Sequence, residues 1–189
     1  MTAFHNFKTI YSLILSDYMR YVSLRNPGKH KTISRGGILL IIMLLKVLFN
    51  YNHCFTYSFY MRLASRPNPF RLFAKVKWRR MSRKYGIQIP PSTNIGEGFY
   101  IGHGVGIVVN HGTVIGKNCS ISHFVSIGSN KRTPATIGDN VYIGPHVCIV
   151  ENVQIGDNVK IGAGTVVIND IPDNCTSVGN PNRIIRKNP

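Results

Sequence analysis

The sequence predicts a mainly β fold, a left-handed parallel β-helix, with a basic helical segment at its N-terminal end. Three observations carry this reading. From residue 95 on, an aliphatic residue recurs at steps of six and is followed by glycine in most repeats. The step lengthens twice, each time after a set of three repeats. Nearly all of the excess positive charge lies ahead of the repeats.

The charge divides the chain. The formal net charge is +16 over 189 residues. Residues 1–85 hold sixteen Lys and Arg against one acid, Asp17, while 86–189 hold seven against six. We therefore read residues 1–86 as a helical, basic segment and 87–189 as the β-helix domain. In the first, "YSLILSDYMRYVSL" and the apolar run "GGILLIIMLLKVLF" are helix-like, with "RNPGKHK" as a turn between them. "HCFTYSFYMRLAS" is ambiguous between helix and strand; "RPNPF" breaks the chain, and "RLFAKVKWRRMSRKYG" resumes as a basic helix ending near Gly86. The apolar run is shorter than the ~20 residues that a membrane span needs. Flanked by Lys29, Lys31, Arg35, Arg62 and Arg66, it reads either as an in-plane anchor on an anionic membrane surface or as a helix packed on protein. The cations are interleaved with long aliphatic runs, which suits lipid better than nucleic acid, so no nucleic-acid partner is expected.

The repeat places aliphatics at Ile95, Ile101, Ile107, Ile115, Ile121, Ile127, Ile137, Ile143, Ile149, Ile155, Ile161 and Val167. Four residues on stand small or apolar side chains such as Val105, Cys119, Val125 and Val141. Each six-residue unit is one flat face of a triangular prism, with the aliphatic inside and the following glycine favouring the corner. Hairpins would alternate with period two and do not fit. The step is eight from Ile107 to Ile115 and ten from Ile127 to Ile137. This predicts coils at 95–112, 115–132 and 137–154, and a fourth from 155. Both insertions, near "NHG" and in "SNKRTPAT", should leave the prism at one edge and form one wall of a site.

This register places the histidines. His103 and His123 each follow the second aliphatic of a coil by two residues, so they should stand on successive rungs, about 4.8 Å apart. His111 lies in the first insertion, and His146 is shifted by one within its unit. The four cysteines form no metal-ligand spacing, and no metal is expected. They read as small core residues of a reducing, cytoplasmic protein, peripheral at most on the inner face of the membrane; residues 1–30 lack the apolar core of a signal peptide.

The stretches "IPPSTNIGEGFYIGHGVGIVVN", "IGKNCSISHFVSIG" and "IGAGTVVINDIPDNCTSVGNP" resemble the hexapeptide-repeat acyltransferases, in the branch that holds serine acetyltransferases and polysaccharide O-acetyltransferases. The resemblance covers about Ile87 to Ile185. It implies a homotrimer with sites between subunits, and transfer of an acetyl group from acetyl-CoA to a hydroxyl. His103 matches the general base, which takes the acceptor proton as a neutral imidazole. His123, His111 and Arg132 fall where acceptor contacts are expected. The CoA groove corresponds to Gly128, Ser129, Gly144, Pro145, Gly162, Ala163 and Gly164, with Lys160, Arg183 and Arg186 for its phosphates. Pro145 replaces a usual alanine and lacks a donor.

Departures from the serine enzymes bear on the acceptor. Their aspartate fifteen residues before the base is Gln88 here, able to orient the ring without adding charge. The residue before the base is Gly102 where aspartate is common, and Thr133 replaces a histidine after Arg132. Their long N-terminal helical domain is missing from the match. These differences lead to the expectation of a sugar hydroxyl as acceptor, in polysaccharide or glycan synthesis. A serine O-acetyltransferase of cysteine synthesis and a non-catalytic scaffold are the alternatives.

Overall fold

The structure, a computed structural model, describes residues 2–25, 36–130 and 133–187, with the side chains of 2–8, 25, 36–40 and 187 left aside. Four helices come first: α1 (Thr2–Arg25), α2 (Gly36–Leu48), α3 (His53–Ser65) and α4 (Arg71–Tyr85). The ambiguous segment is thus the helix α3. Its N-cap is Asn52, whose side-chain oxygen accepts the Phe55 amide at 3.1 Å. It ends at Arg66, which is extended ahead of Pro67. Gly86 stops α4 in the left-handed conformation that a residue without Cβ adopts freely. The turn assigned to "RNPGKHK" lies outside the described residues apart from Arg25.

Beyond Gly86 the chain winds through about four turns of a prism with three parallel sheets. The first face stacks Asn94–Ile95, Val114–Ile115, Thr136–Ile137 and Gln154–Ile155. The second stacks Tyr100–Ile101, Ser120–Ile121, Tyr142–Ile143 and Lys160–Ile161. The third stacks Val108–Val109, Ser126–Ile127, Cys148–Ile149 and Val166–Val167. Like residues therefore lie over like, and the aliphatic columns are sealed from solvent. Each such side chain contributes roughly 1.5–3 kcal/mol of burial. Cys54, Cys119 and Cys175 are buried in this core, but Cys148 is exposed on the third face.

The register corrects two expectations. Val109, not Ile107, pairs in the column of Ile127, and Ile107 is the inward residue two positions earlier. The longer step of the first coil thus runs from Ile101 to Val109, and Val105 is exposed rather than inward. The extra residues of the first coil therefore leave the prism after the second face rather than near "NHG", while those of "SNKRTPAT" leave it after the third, so the two do not share a corner. The glycines after the aliphatics also work differently from the expectation. A Cβ on Gly96 would stand 2.7 Å from the Gly116 carbonyl carbon, and one on Gly116 2.6 Å from that of Gly138. They let successive coils approach. The left-handed corner is made two residues later, by Asn118, Asn140 and Asn158, and in the last turn by Asn174 after Pro172. Their side-chain amides form a ladder at 3.1, 3.1 and 3.0 Å.

The first coil has an edge with no coil before it, and unpaired backbone groups there would be costly if buried. Side chains from the helices satisfy them. The Tyr21 hydroxyl accepts the Ile101 amide at 2.9 Å and donates to its carbonyl at 3.3 Å. The Tyr57 hydroxyl accepts the Ile89 amide at 3.1 Å and lies 3.2 Å from the Ile87 carbonyl oxygen. Arg62 donates to the Ile95 and Gly96 carbonyls, each at 2.6 Å. Asp17 accepts the Phe99 amide at 2.8 Å and is paired with Arg62 at 2.9 Å. At the far end Cys175–Val178 pairs antiparallel with Arg183–Lys187. There the Asn182 side chain accepts the amides of Ile168 and Asn169, both at 3.0 Å.

Burial pushes the Asp17 carboxyl upward, while Arg62 and its hydrogen bonds pull it back. Desolvation is the larger effect, so the pair orients α1 and α3 on the coil more than it adds net stability. Asp17→Asn or Arg62→Met alone is expected to destabilise by about 3–5 kcal/mol, because each leaves a buried polar partner unmet. The double variant should lose less than the sum. A urea-denaturation double-mutant cycle checks this, and simple additivity would contradict the coupling.

Candidate active site

The corner between the second and third faces carries the histidines. In the coils above, Ile121 to Ile127 and Ile143 to Ile149 are six-residue steps; in the first coil Ile101 to Val109 is eight. The backbone shows where the extra residues sit. The Val105 carbonyl accepts the Phe124 amide at 2.9 Å, as His123 accepts His146 at 3.1 Å and Pro145 accepts Gly164 at 2.8 Å. Val105, His123 and Pro145 are therefore equivalents along the stack. Gly106, Phe124, His146 and Gly164 follow them, all with positive φ. His103 and Gly104 are the additional pair. The expected rung-on-rung placement of His103 over His123 is corrected accordingly.

The two rings nevertheless meet. Their centroids lie 5.9 Å apart, edge to face at 88°. His146 continues the row, 5.5 Å from His123, and stacks on Phe124 at 4.9 Å. His103, Phe124 and His146 are exposed, while His123 is half-buried and its Nδ1 is sealed without a hydrogen-bond partner. His103 itself holds φ 55°, an uncommon conformation for a residue with a Cβ.

The pair is pinned from below. The Gly104 amide donates to the Cys54 sulfur at 3.1 Å, from the first turn of α3. A Cβ on Gly104 would meet the Ile87 Cδ1 at 2.9 Å and the Cys54 sulfur at 3.1 Å. Cys54 lies fifty residues away in sequence, and nothing in the repeat pattern pointed to it. Cys119 offers no nucleophile: it is buried in the prism, and desolvation pushes its thiol up to about 12.

The other expected residues fall in three places. Gln88 is exposed on the third face, bridged to Val108 one rung before the first coil. Its amide donates to the Ile107 carbonyl at 2.6 Å, but its side chain has no hydrogen bond to His103. Gly144, Pro145, Gly162, Ala163 and Gly164 lie at the histidine corner, in the third and fourth coils. His111, Gly128 and Ser129 lie at the next corner, after the third face, and so do not share a wall with His103. There the Asn110 side chain donates to the Ser129 carbonyl at 3.2 Å, and Glu151 accepts the Asn130 amide at 2.6 Å. Lys160, Arg183 and Arg186 are exposed along the second face and its terminal strand. Arg132 lies outside the described residues. Among the described residues no three His, Cys, Asp or Glu side chains gather to hold a metal.

Known proteins resemble this chain over both its parts. The family described as bacterial transferase hexapeptide (six repeats) matches residues 134–169. The serine acetyltransferase of Synechococcus elongatus is 41% identical over 105 residues, 53% of this chain and 43% of that protein. Serine acetyltransferase 1, chloroplastic, of Arabidopsis thaliana is 40% identical over 126 residues, 63% of this chain and 40% of that protein. The chain thus spans less than half the length of these curated relatives. The soybean serine acetyltransferase apoenzyme superposes with a TM-score of 0.66 at 27% identity, over 97% of this chain and 72% of that one. The Neisseria gonorrhoeae serine acetyltransferase gives 0.72 at 27% identity, over 96% and 67%.

Two corrections follow. The superpositions take in the helical end, so its helices have counterparts in the serine enzymes. And these relatives are serine acetyltransferases, which overturns the expected sugar acceptor and the place in polysaccharide synthesis. That expectation rested on Gln88, Gly102 and Thr133 and on the helical domain missing from the match, whereas the likeness extends over whole coils and the helical end. The chain thus carries the bacterial transferase hexapeptide repeat over residues 134–169, and in sequence and fold it is similar to the serine acetyltransferases.

Proposed function

We propose that this chain transfers the acetyl group of acetyl-CoA to the hydroxyl of L-serine, with His103 as general base. The observation that carries the reading is the extra His103–Gly104 pair, which lifts one imidazole onto an exposed corner in line with Gly144, Pro145 and Gly162–Gly164. Acetyl-CoA supplies a thioester carbonyl as electrophile. His103 accepts the hydroxyl proton as the oxygen bonds to the carbonyl carbon; the C–S bond breaks and the CoA sulfur leaves with the electron pair, later taking up the proton. His123 is a positioning residue: its ring edge sets where the His103 ring stands, a task that the resemblance gives to an aspartate. Gln88 has the place for that role without the contact.

A homotrimer belongs to the proposal. Val105 and Phe124 at the His103 corner and Val108 at the start of the third face are exposed by 44%, 47% and 39%. An apolar rim of this kind suits a second copy that closes the site and excludes water. Lys160, Arg183 and Arg186 are available to the CoA phosphates.

Thiol release from acetyl-CoA with L-serine tests the reading. His103→Ala is expected to lower kcat by about 10²–10⁴-fold, the usual contribution of a general base. His123→Ala should lower kcat while leaving the KM for acetyl-CoA unchanged. Gly104→Ala should also lower kcat, with a stability loss of about 1–3 kcal/mol from the forced shift of Ile87 and Cys54. Binding of CoA without release on serine would sink the serine acceptor, and full activity of His103→Ala would sink the base. Sedimentation velocity of a monomer at assay concentration would remove the trimer.

A further inference from the structure

From Ile41 on, the α2 helix is apolar apart from Lys46, whose ammonium donates to the Tyr18 hydroxyl at 3.2 Å, and only one side is covered. Met43 and Val47 face the protein. Ile41, Leu44, Leu45 and Leu48 form a stripe at i, i+3, i+4 and i+7 on the outside, and Leu48 is 73% exposed. The stripe runs on into Phe49 and Tyr51, also exposed. A soluble helix buries such a stripe. Among the described residues nothing lies over this one.

Beside it runs a row of cations. A groove of about 470 Å³ separates the end of α2 from α4. Val47, Leu48, Tyr60 and Met81 line it, with Lys77, Arg80 and Lys84 along the α4 side. These three follow Phe73 at helical spacing, and the Lys77 ammonium lies 5.5 Å from the Phe73 ring centroid. The outward start of α4 is apolar again, with Leu72 and Val76 exposed. Among the described residues none of these three cations forms an ion pair with an acid. Six of the seven acids come after residue 86, and the seventh, Asp17, is buried against Arg62.

We propose that this face of α2 and α4 docks on an anionic lipid bilayer, with the apolar stripe entering the headgroup boundary and Lys77, Arg80 and Lys84 meeting lipid phosphates. Charge selects the occupant. A second copy would bring the same uncompensated cations against this face, and like charges would oppose it. A soluble polyanion would meet the cations but leave the leucines in water. An anionic bilayer satisfies both at once. The contact is in-plane, since among the described residues no helix is long and apolar enough to cross a membrane. The docking is independent of acetyl transfer.

Co-sedimentation of the full chain with vesicles tests this, comparing phosphatidylcholine alone with a mixture containing phosphatidylglycerol. We expect binding to the anionic vesicles that weakens with salt. Each cation removed from Lys77, Arg80 or Lys84 should weaken it about fivefold. Leu45→Ser with Leu48→Ser should abolish it while leaving the melting temperature and thiol release unchanged, which separates this test from that of the acetyl transfer. Absence of binding to either vesicle would overturn the proposal. So would anionic binding that survives the leucine substitutions and is displaced by heparin, which would identify a soluble polyanion. Concentration-dependent self-association lost in the leucine variant, without vesicle binding, would identify a second copy instead.

Discussion

A parallel solenoid has an obligatory defect at its start: the first coil has no partner for half of its backbone groups. Everything ahead of the repeats is arranged around that edge. Tyr21, Tyr57, Arg62 and Asp17 reach from α1 and α3 to the amides and carbonyls that a preceding coil would have met. The helical end is therefore a cap, and its polar interior is set by the spacing of a β edge. Such capping units are what repeat architectures need at their termini.

The cap also reaches the site. Cys54 belongs to the same helix as Tyr57 and Arg62, and its sulfur accepts the amide beside His103. Two residues in excess of the repeat would otherwise loop out freely from a corner. Anchoring Gly104 on α3 turns them into a fixed projection, and the edge contact with His123 then limits the ring. Stability at the coil edge and placement of the proposed base thus depend on one helix.

The outer side of that cap is built on other terms. Inside, the buried charges of Asp17 and Arg62 are paired with each other and with the backbone between them. Outside, leucines and cations stand together with no acid among them. Folding alone does not account for that surface, because neither the edge nor the core uses it.

Much was legible in the residues. The six-residue aliphatic period gave the prism, since only a coil with three inward positions per turn buries every sixth residue on one side. The motifs singled out His103 and the glycines Gly144, Gly162 and Gly164 that share its corner. The position of the extra residues was not legible, because both Ile107 and Val109 are apolar and inward, and only pairing of Val109 with Ile127 distinguishes them. The separation of His111 from His103 followed from the same pairing. The role of the glycines was misread for a related reason: close approach of coils and left-handed turning both favour glycine, and only the stacked backbone shows which applies.

Periodic, local information was thus set by the sequence alone: the coil, its inward columns, the break in charge at residue 86 and the histidine worth testing. Tertiary structure decided the rest. The contacts of Asp17, Tyr21, Cys54 and Arg62 span thirty to more than eighty residues and follow no period. They exist because an unpaired edge in three dimensions selects whichever side chains arrive beside it, and a linear pattern carries no record of that arrival.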